Sequence, residues 1–209
     1  SQTEGKTWGV PFQRSTVVMY YNKDLFREAG LDPNKAPQSW KELSEAAQKL
    51  TKKDASGKVT QYGIQIPSTG FAYWMLQTLT TPNGVLLANE TGTKVTFDHP
   101  KVIEALEYWV NLTKQGVHPA GVVEWGTTPK DFFEKKAAIM VTTTGNLTNV
   151  RKNAQFDFGV GHIAGNLRKG SPTGGGNFYI FKKASKEQQE AAFKFIQWIT
   201  QPERAAQWS

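Results

Sequence analysis

No cysteine occurs among the 209 residues, which excludes disulfide scaffolds, thiol nucleophiles and Cys-ligated zinc. Apolar runs extend over only a few residues, far short of the roughly 20 that a membrane-spanning helix requires, so no membrane span is expected. Acidic residues are the minority charge, with 18 Asp plus Glu against 25 Lys plus Arg and a net charge of +7. A basic balance admits nucleic acid as a partner. Its distribution argues against one. Lys49, Lys52 and Lys53 are expected to end one helix and Lys135 with Lys136 another, where cations complement the helix dipole unaided. The opening Ser1-Gln2-Thr3-Glu4-Gly5-Lys6 lacks a basic stretch followed by an apolar core, so no signal peptide is expected there; a processed or truncated chain would read the same way.

Catalytic signatures are equally scarce. There is no phosphate-cradling Gly-x-x-x-x-Gly-Lys-Ser/Thr, no Gly-x-Gly-x-x-Gly after a strand and no Gly-x-Ser-x-Gly elbow. Gly174-Gly175-Gly176 precedes a predicted strand and not a helix, so it is not read as a phosphate loop. His99, His118 and His162 are far apart, beside Pro or Gly, without the i, i+4 partner of a helical metal site; no metal or cofactor is expected. Glu124 and Asp131 form the one carboxylate pair that a glycoside-processing enzyme could use.

What is present is the composition of a folded chain: 38% hydrophobic, 12% aromatic and 21% charged residues, in a length that suits one large domain or two small ones. Val17–Tyr21 reads as a strand, followed by a helix that Asn22 caps and Gly30 ends. Ser39-Trp40-Lys41-Glu42 is a capping-box pattern opening a helix with Leu43, Ala46, Ala47 and Leu50 on one face. Strands are expected at Tyr62–Ile66, Lys94–Phe97, Ala137–Val141, Phe156–Val160 and Phe178–Phe181. Helices are expected at Phe71–Leu79, behind Asp98-His99-Pro100 with Val102, Leu106, Trp109 and Val110 on one face, and behind Thr128-Pro129. Further helices are expected near Leu147, across Ala191–Ile199 (with Ala191, Ala192, Phe195, Ile196 and Ile199 inside) and from Pro202. The alternation defines an α/β class with a largely parallel sheet.

Several strand ends deliver small polar residues, Gly or aromatics into the next loop, where open α/β sheets bind ligands. Val141 runs into Thr144-Gly145-Asn146 at a helix start, and Ile66 into Ser68-Thr69-Gly70-Phe71 with Tyr73 and Trp74 behind; Trp125 stands in a loop. Flat aromatic faces beside polar donors suit sugars and other polyols. Trp109 reads as core, whereas Tyr73 and Trp74 fit core or ligand contact alike.

The sequence resembles a known family. Tyr20-Tyr21-Asn22-Lys23-Asp24-Leu25-Phe26, Ala29-Gly30-Leu31-Asp32, Pro37, Ser39-Trp40 and Leu43 match a signature of the extracytoplasmic solute-binding proteins of ABC importers, carbohydrate group. Phe132-Phe133, Ala138-Ile139-Met140 and Gly145-Asn146 resemble a second stretch of those proteins, Phe158-Gly159-Val160-Gly161 with Gly174-Gly175-Gly176-Asn177 a third, and Ala191–Ile199 with Pro202-Glu203 and Ala205-Ala206 a fourth. The glycerol-3-phosphate-binding type is the most similar subgroup: where this chain has Thr144-Gly145-Asn146 it reads Ser-Gly-Ser, and Asn149-Val150-Arg151 is matched by Asn-Ile-Arg. Gly70-Phe71-Ala72-Tyr73-Trp74 replaces a Trp-containing loop at different spacing, and Arg14 precedes Ser15-Thr16, so sugar and glycerol phosphate both remain open.

The resemblance implies a type II periplasmic-binding-protein-like α/β fold, mostly one lobe plus a part of the other, with residues 1–173 as the second lobe including a first crossover near 11–16. Residues 174–209 would be a second crossover and helices of the first lobe, whose remainder and the C-terminal return are not in the sequence. It also implies a non-catalytic monomer outside the cytoplasm, free or lipid-anchored, that holds a sugar or polyol phosphate between two lobes for ABC-importer permease subunits. Contacts are expected from Ser15, Tyr73, Trp74, Trp125, Thr144, Gly145, Asn146, Gly175, Gly176 and Asn177. This chain alone is expected to bind weakly, and a basic nucleic-acid module and the Glu124/Asp131 enzyme are the alternatives.

Overall fold

The structure, a computed structural model, describes residues 2–3 and 5–208. In chain order the elements are β1 (Gln2–Thr3), β2 (Lys6–Thr7), β3 (Val10–Asn22), α1 (Lys23–Glu28), α2 (Trp40–Leu50), β4 (Lys52–Lys53), β5 (Val59–Gln65), α3 (Ala72–Thr80) and α4 (Pro100–Lys114). Then follow α5 (Thr128–Phe133), β6 (Ala137–Thr143), a 3₁₀ turn (Thr144–Asn146), α6 (Leu147–Asn153), β7 (Phe158–His162), β8 (Thr173–Phe178), α7 (Lys186–Ile199) and α8 (Pro202–Trp208). The chain divides into two compact units, Thr16–Pro172 and the combined ends Ser1–Ser15 with Thr173–Ser209.

In the larger unit the strand order is β4-β5-β6-β3-β7. Only β5 and β6 pair in parallel; β3 runs antiparallel to both β6 and β7, and β4 to β5. The sheet is therefore mixed, contrary to the largely parallel one expected. Parallel pairing needs a crossover connection, and α3, α4 and α5 supply one between β5 and β6.

Val17 to Asn22 are all buried, and their two-residue period splits them between two cores. Val17, Met19 and Tyr21 pack with Leu43 and Leu50 of α2, Met75 of α3 and Ala105 of α4. Val18 and Tyr20 pack with Phe132 of α5 and Val150 of α6. Helices thus cover both faces. Asn22 ends the strand and caps α1, its Oδ1 accepting from the Leu25 N–H at 3.0 Å, and Gly30 takes the left-handed conformation expected after that helix (φ 68°).

Several local expectations are corrected. The capping box at α2 is half formed: Ser39 Oγ accepts from the Glu42 N–H (3.2 Å), but Glu42 Oε2 reaches the N–H of Gln38 (2.8 Å) and not that of Ser39. Lys52 and Lys53 form β4, while α5 stops at Phe133, leaving Lys135 left-handed and Lys136 paired to Glu134 (2.6 Å). Lys94–Phe97 has a single bridge, Ala88 to Val95, because its neighbours offer no longer ladder. His99, not Asp98, caps α4 through Nδ1, with Pro100 in the first turn, and Thr127 precedes α5 where Thr128 was expected. Leu106 and Val110 lie exposed, and α4 turns Val102, Ala105 and Leu112 inward instead.

In the smaller unit β1 pairs with β2, and β8 pairs with β3. The strand expected at Phe178–Phe181 lies earlier, over the glycine run. Phe178 packs against Phe12 (4.8 Å) and Phe195 (6.0 Å). Ser185 and Gln188 form a complete capping box at α7, whose buried residues are Ile196 and Ile199; Ala191 and Phe195 are exposed.

Helix α2 sits so close to β5 that a Cβ on Gly63 would run into the carbonyl oxygen of Ala47. Gly63→Ala is expected to lower stability by about 1–3 kcal/mol, read as a lower urea midpoint at unchanged slope. An unaltered midpoint would contradict the close approach.

Candidate functional site

Past the end of β5 the chain is zipped side by side to the loop behind α4. Ile64 N–H donates to Val117 O (3.1 Å), Ser68 N–H to Val123 O (2.8 Å) and Val123 N–H to Ser68 Oγ (2.9 Å). Trp125 N–H reaches Thr69 Oγ1 (3.2 Å), and that hydroxyl donates to Glu124 Oε2 (2.6 Å). Gly70 is left-handed, at φ 71°, and its missing side chain leaves room for Trp125, whose Cβ would otherwise lie 2.9 Å from the added carbon. That turn presents Phe71 at the head of α3. Its ring meets Trp125 (5.1 Å), Trp74 (6.1 Å) and Tyr73 (6.5 Å) edge to face.

The two tryptophans and the tyrosine take different places. Tyr73 is 63% exposed, and Trp125 is half-buried. Trp74 is only 8% exposed, and its Nε1–H donates to Pro172 O at 3.1 Å. Its ring is mainly packing, so the stacking surface of this corner belongs to Phe71, Tyr73 and the free part of Trp125.

A second group forms where β6 ends. Tyr20 Oη donates to Thr143 O (3.1 Å), and burial pushes that phenol up to about 12, only partly opposed by Arg151. The hydroxyl thus stays a protonated donor that fixes the strand end. Beyond it Thr144 and Gly145 are exposed, and Asn146 is held from both sides: its Nδ2 donates to Thr142 Oγ1 and its Oδ1 accepts from Asn149 Nδ2, both at 3.0 Å.

Thr16 joins the two groups. Its N–H donates to Thr144 Oγ1 and its hydroxyl to Pro172 O, each at 3.3 Å, and that carbonyl also takes the Trp74 indole. Thr144, Thr16, Pro172, Trp74, Phe71 and Trp125 therefore form one unbroken series of contacts across stretches far apart in sequence. In the smaller unit, Arg14 Nη2 donates to Asn177 Oδ1 (2.7 Å) and Asn177 Nδ2 to Tyr179 Oη (3.1 Å). Ser15 and Gly176 are half-buried. Gly175, at φ 139°, lies where a side chain would strike the Gln13 carbonyl.

Thr16, Pro172, Phe71, Thr69 and Arg14 were not among the expected contacts. A polar residue at the head of an apolar strand, as Thr16 is, was the available signal; nothing local marks Pro172. Glu124 and Asp131 do not act on a common group among the described residues. Glu124 is held by Thr69, and Asp131 accepts from Gln65 Nε2 (3.1 Å). The alternative of a Glu124/Asp131 enzyme gains no support from this geometry.

A mixed sheet covered by helices on both faces, with loops gathered at the strand ends, is the fold of periplasmic-binding-protein-like solute-binding proteins. The chain belongs to the bacterial extracellular solute-binding protein family, which it matches over residues 1–209. It is 30% identical, over 95% of its length, to the sn-glycerol-3-phosphate-binding periplasmic protein UgpB of Salmonella typhimurium, of which it covers 46%. Among solved structures, UgpB of Mycobacterium tuberculosis in complex with glycerophosphocholine superposes with a TM-score of 0.83 at 27% identity, over 97% of this chain and 50% of that one. The ABC substrate-binding protein Lmo0181 of Listeria monocytogenes in complex with cycloalternan gives 0.81 at 29% identity, over 98% and 51%. The chain thus spans about half the length of the relatives it matches.

Replacing Thr16 by Val removes the hydroxyl that links the two groups while keeping its shape. Thr16→Val is expected to cost about 1 kcal/mol and to lower Tm by about 2–4 °C. A Tm equal to that of the parent would show that the link is not formed.

Proposed function

We propose that this chain is part of the substrate-binding component of an ABC importer, working outside the cytoplasm. It captures a sugar or a glycerol-3-phosphate-like polyol and delivers it to permease subunits without catalysis. The observation that carries this reading is the series from Thr144 through Thr16 and Pro172 to the aromatic corner. It sets exposed rings next to hydroxyl, amide and carboxylate groups. A polyol has apolar C–H faces for the rings and a rim of hydroxyls for the polar groups.

In the larger unit, Tyr73, Phe71 and Trp125 would stack, and Thr144, Gly145 and Asn146 would bond hydroxyls, with Trp74 holding the corner from behind. For the smaller unit, taken by itself, Ser15, Gly175, Gly176 and Asn177 are proposed as ligand contacts. The names of the relatives, which are transport and binding proteins for glycerol phosphates and sugars, support the same class. We further propose that the working state is a monomer, free or lipid-anchored, and that the larger unit is the greater part of one lobe.

Titration calorimetry on the full-length protein with maltose, ribitol, sn-glycerol 3-phosphate and glycerophosphocholine tests the reading. One member is expected to bind, with Tyr73→Ala weakening it about tenfold through loss of a stacking ring. No heat with any member would overturn the ligand class.

A further inference from the structure

His118 was expected to be an ordinary turn residue. Instead it is 4% exposed and stands between α4 and the exit of β5. Its Nδ1 lies 2.7 Å from the carbonyl of Pro119, a distance at which the ring must donate, so the proton belongs on Nδ1. Nε2 then accepts from the main-chain N–H of Ile66 at 3.1 Å, with the indole N–H of Trp109 also aimed at it from 3.5 Å. The groups facing the ring are Ile66, Trp109, the Thr113 hydroxyl (3.2 Å from Nδ1) and Pro119. Among the described residues no charged group acts on it; Glu107 and Lys114 of α4 are exposed, and Asp131 is engaged by Gln65.

Ile66 is where the ladder between Ile64–Val117 and Ser68–Val123 would otherwise be broken. The imidazole fills that gap with a side-chain acceptor in place of a carbonyl. The five residues after Ile66 lead to Phe71, so the acceptor sits at the root of the aromatic corner.

We propose that His118 is the positioning residue of the ligand loop at residues 66–71, and that protonating it releases this loop. A proton on Nε2 removes the acceptor of the part-buried Trp109 indole N–H and of the Ile66 N–H, and leaves the latter a buried donor without a partner. The new N–H donates to the Ile66 carbonyl, already 3.1 Å away, so what the loop loses is the acceptor of its N–H. Burial holds the imidazole below its ordinary value of 6.5, so the neutral ring is the native form. The unfolded chain binds the proton more readily, and the stabilisation is complete above the ordinary value. It is lost as pH falls through the lowered one. The consequence for ligand affinity rests on the reading given above; the loop release itself does not.

Hydrogen exchange read by mass spectrometry tests this without any ligand, comparing peptides covering 64–71 with 137–143 in the same chain. Between pH 8 and pH 5, after correction for intrinsic exchange, opening of 64–71 is expected to become about tenfold easier relative to 137–143, the effect of one lost buried hydrogen bond. His118→Gln places an amide oxygen where Nε2 stood, and it should keep protection at pH 8 and abolish the pH dependence. His118→Phe should open the loop at both pH values. Protection of 64–71 that is constant with pH in the parent, or an undiminished pH dependence in His118→Gln, would overturn the proposal. If exchange behaves as expected while maltose and sn-glycerol 3-phosphate fail to bind, the role of His118 stands and the ligand class falls.

Discussion

Residues Val17 to Asn22 of β3 have β6 on one edge, β7 on the other and a separate core on each face. A strand enclosed on four sides has one permitted register, because a slip of one residue would exchange its two faces. That slip would carry Met19 and Tyr21 into the core of Phe132 and Val150, and turn the Tyr20 hydroxyl away from Thr143. The site inherits this precision. Thr16 is the residue immediately before the buried run, so the register of β3 sets where its N–H and hydroxyl fall relative to Thr144 and Pro172.

From that fixed point the polar contacts divide the work with the rings. Ser171 Oγ donates to Val17 O at 2.8 Å, holding the end of the larger unit against the start of the buried run and so placing the Pro172 carbonyl. Two donors then converge on that one oxygen, from Thr16 and from Trp74. Carbonyl oxygens have two lone pairs, so both can be satisfied together. The indole bond explains why Trp74 is buried with its polar edge satisfied, and why Phe71 stands forward over it. An aromatic corner built this way has its orientation fixed by hydrogen bonds, while the ring faces of Phe71 and Tyr73 stay exposed.

Much of this was readable from local sequence wherever the decisive interaction was itself local. Asn22 as a cap, Gly30 as a left-handed stop, Pro100 in a first turn and the passage from β6 into the Thr144 turn depend on a few adjacent residues. The failures came where a distant partner decided. Ser39 and Glu42 carry the capping-box pattern, yet Gln38 offered the carboxylate a nearer donor. Glycine weakens strands, so the run Gly174-Gly175-Gly176 reads as a connection, but at Gly175 the Gln13 carbonyl comes so close that only a residue without a side chain fits. Trp74 could be core or ligand contact by spacing alone; its partner, Pro172, lies 98 residues away.

His118 shows the same limit from the opposite side. A histidine beside proline in a turn carries no sign of burial, because the apolar neighbours that enclose it come from α4 and from the end of β5. A carbonyl at that place would have continued the ladder with equal geometry and no charge to gain. The imidazole differs in one respect, since its acceptor can be removed by a proton. Where a main-chain partner would give constant support, a buried histidine gives the chain at Ile66 a partner that a proton can take away. The register of β3 is not exposed to the same variable, because its pairing is main-chain throughout. The larger unit thus joins a sheet held by main-chain pairing to a loop held by a side-chain acceptor, and the two meet at Ile66.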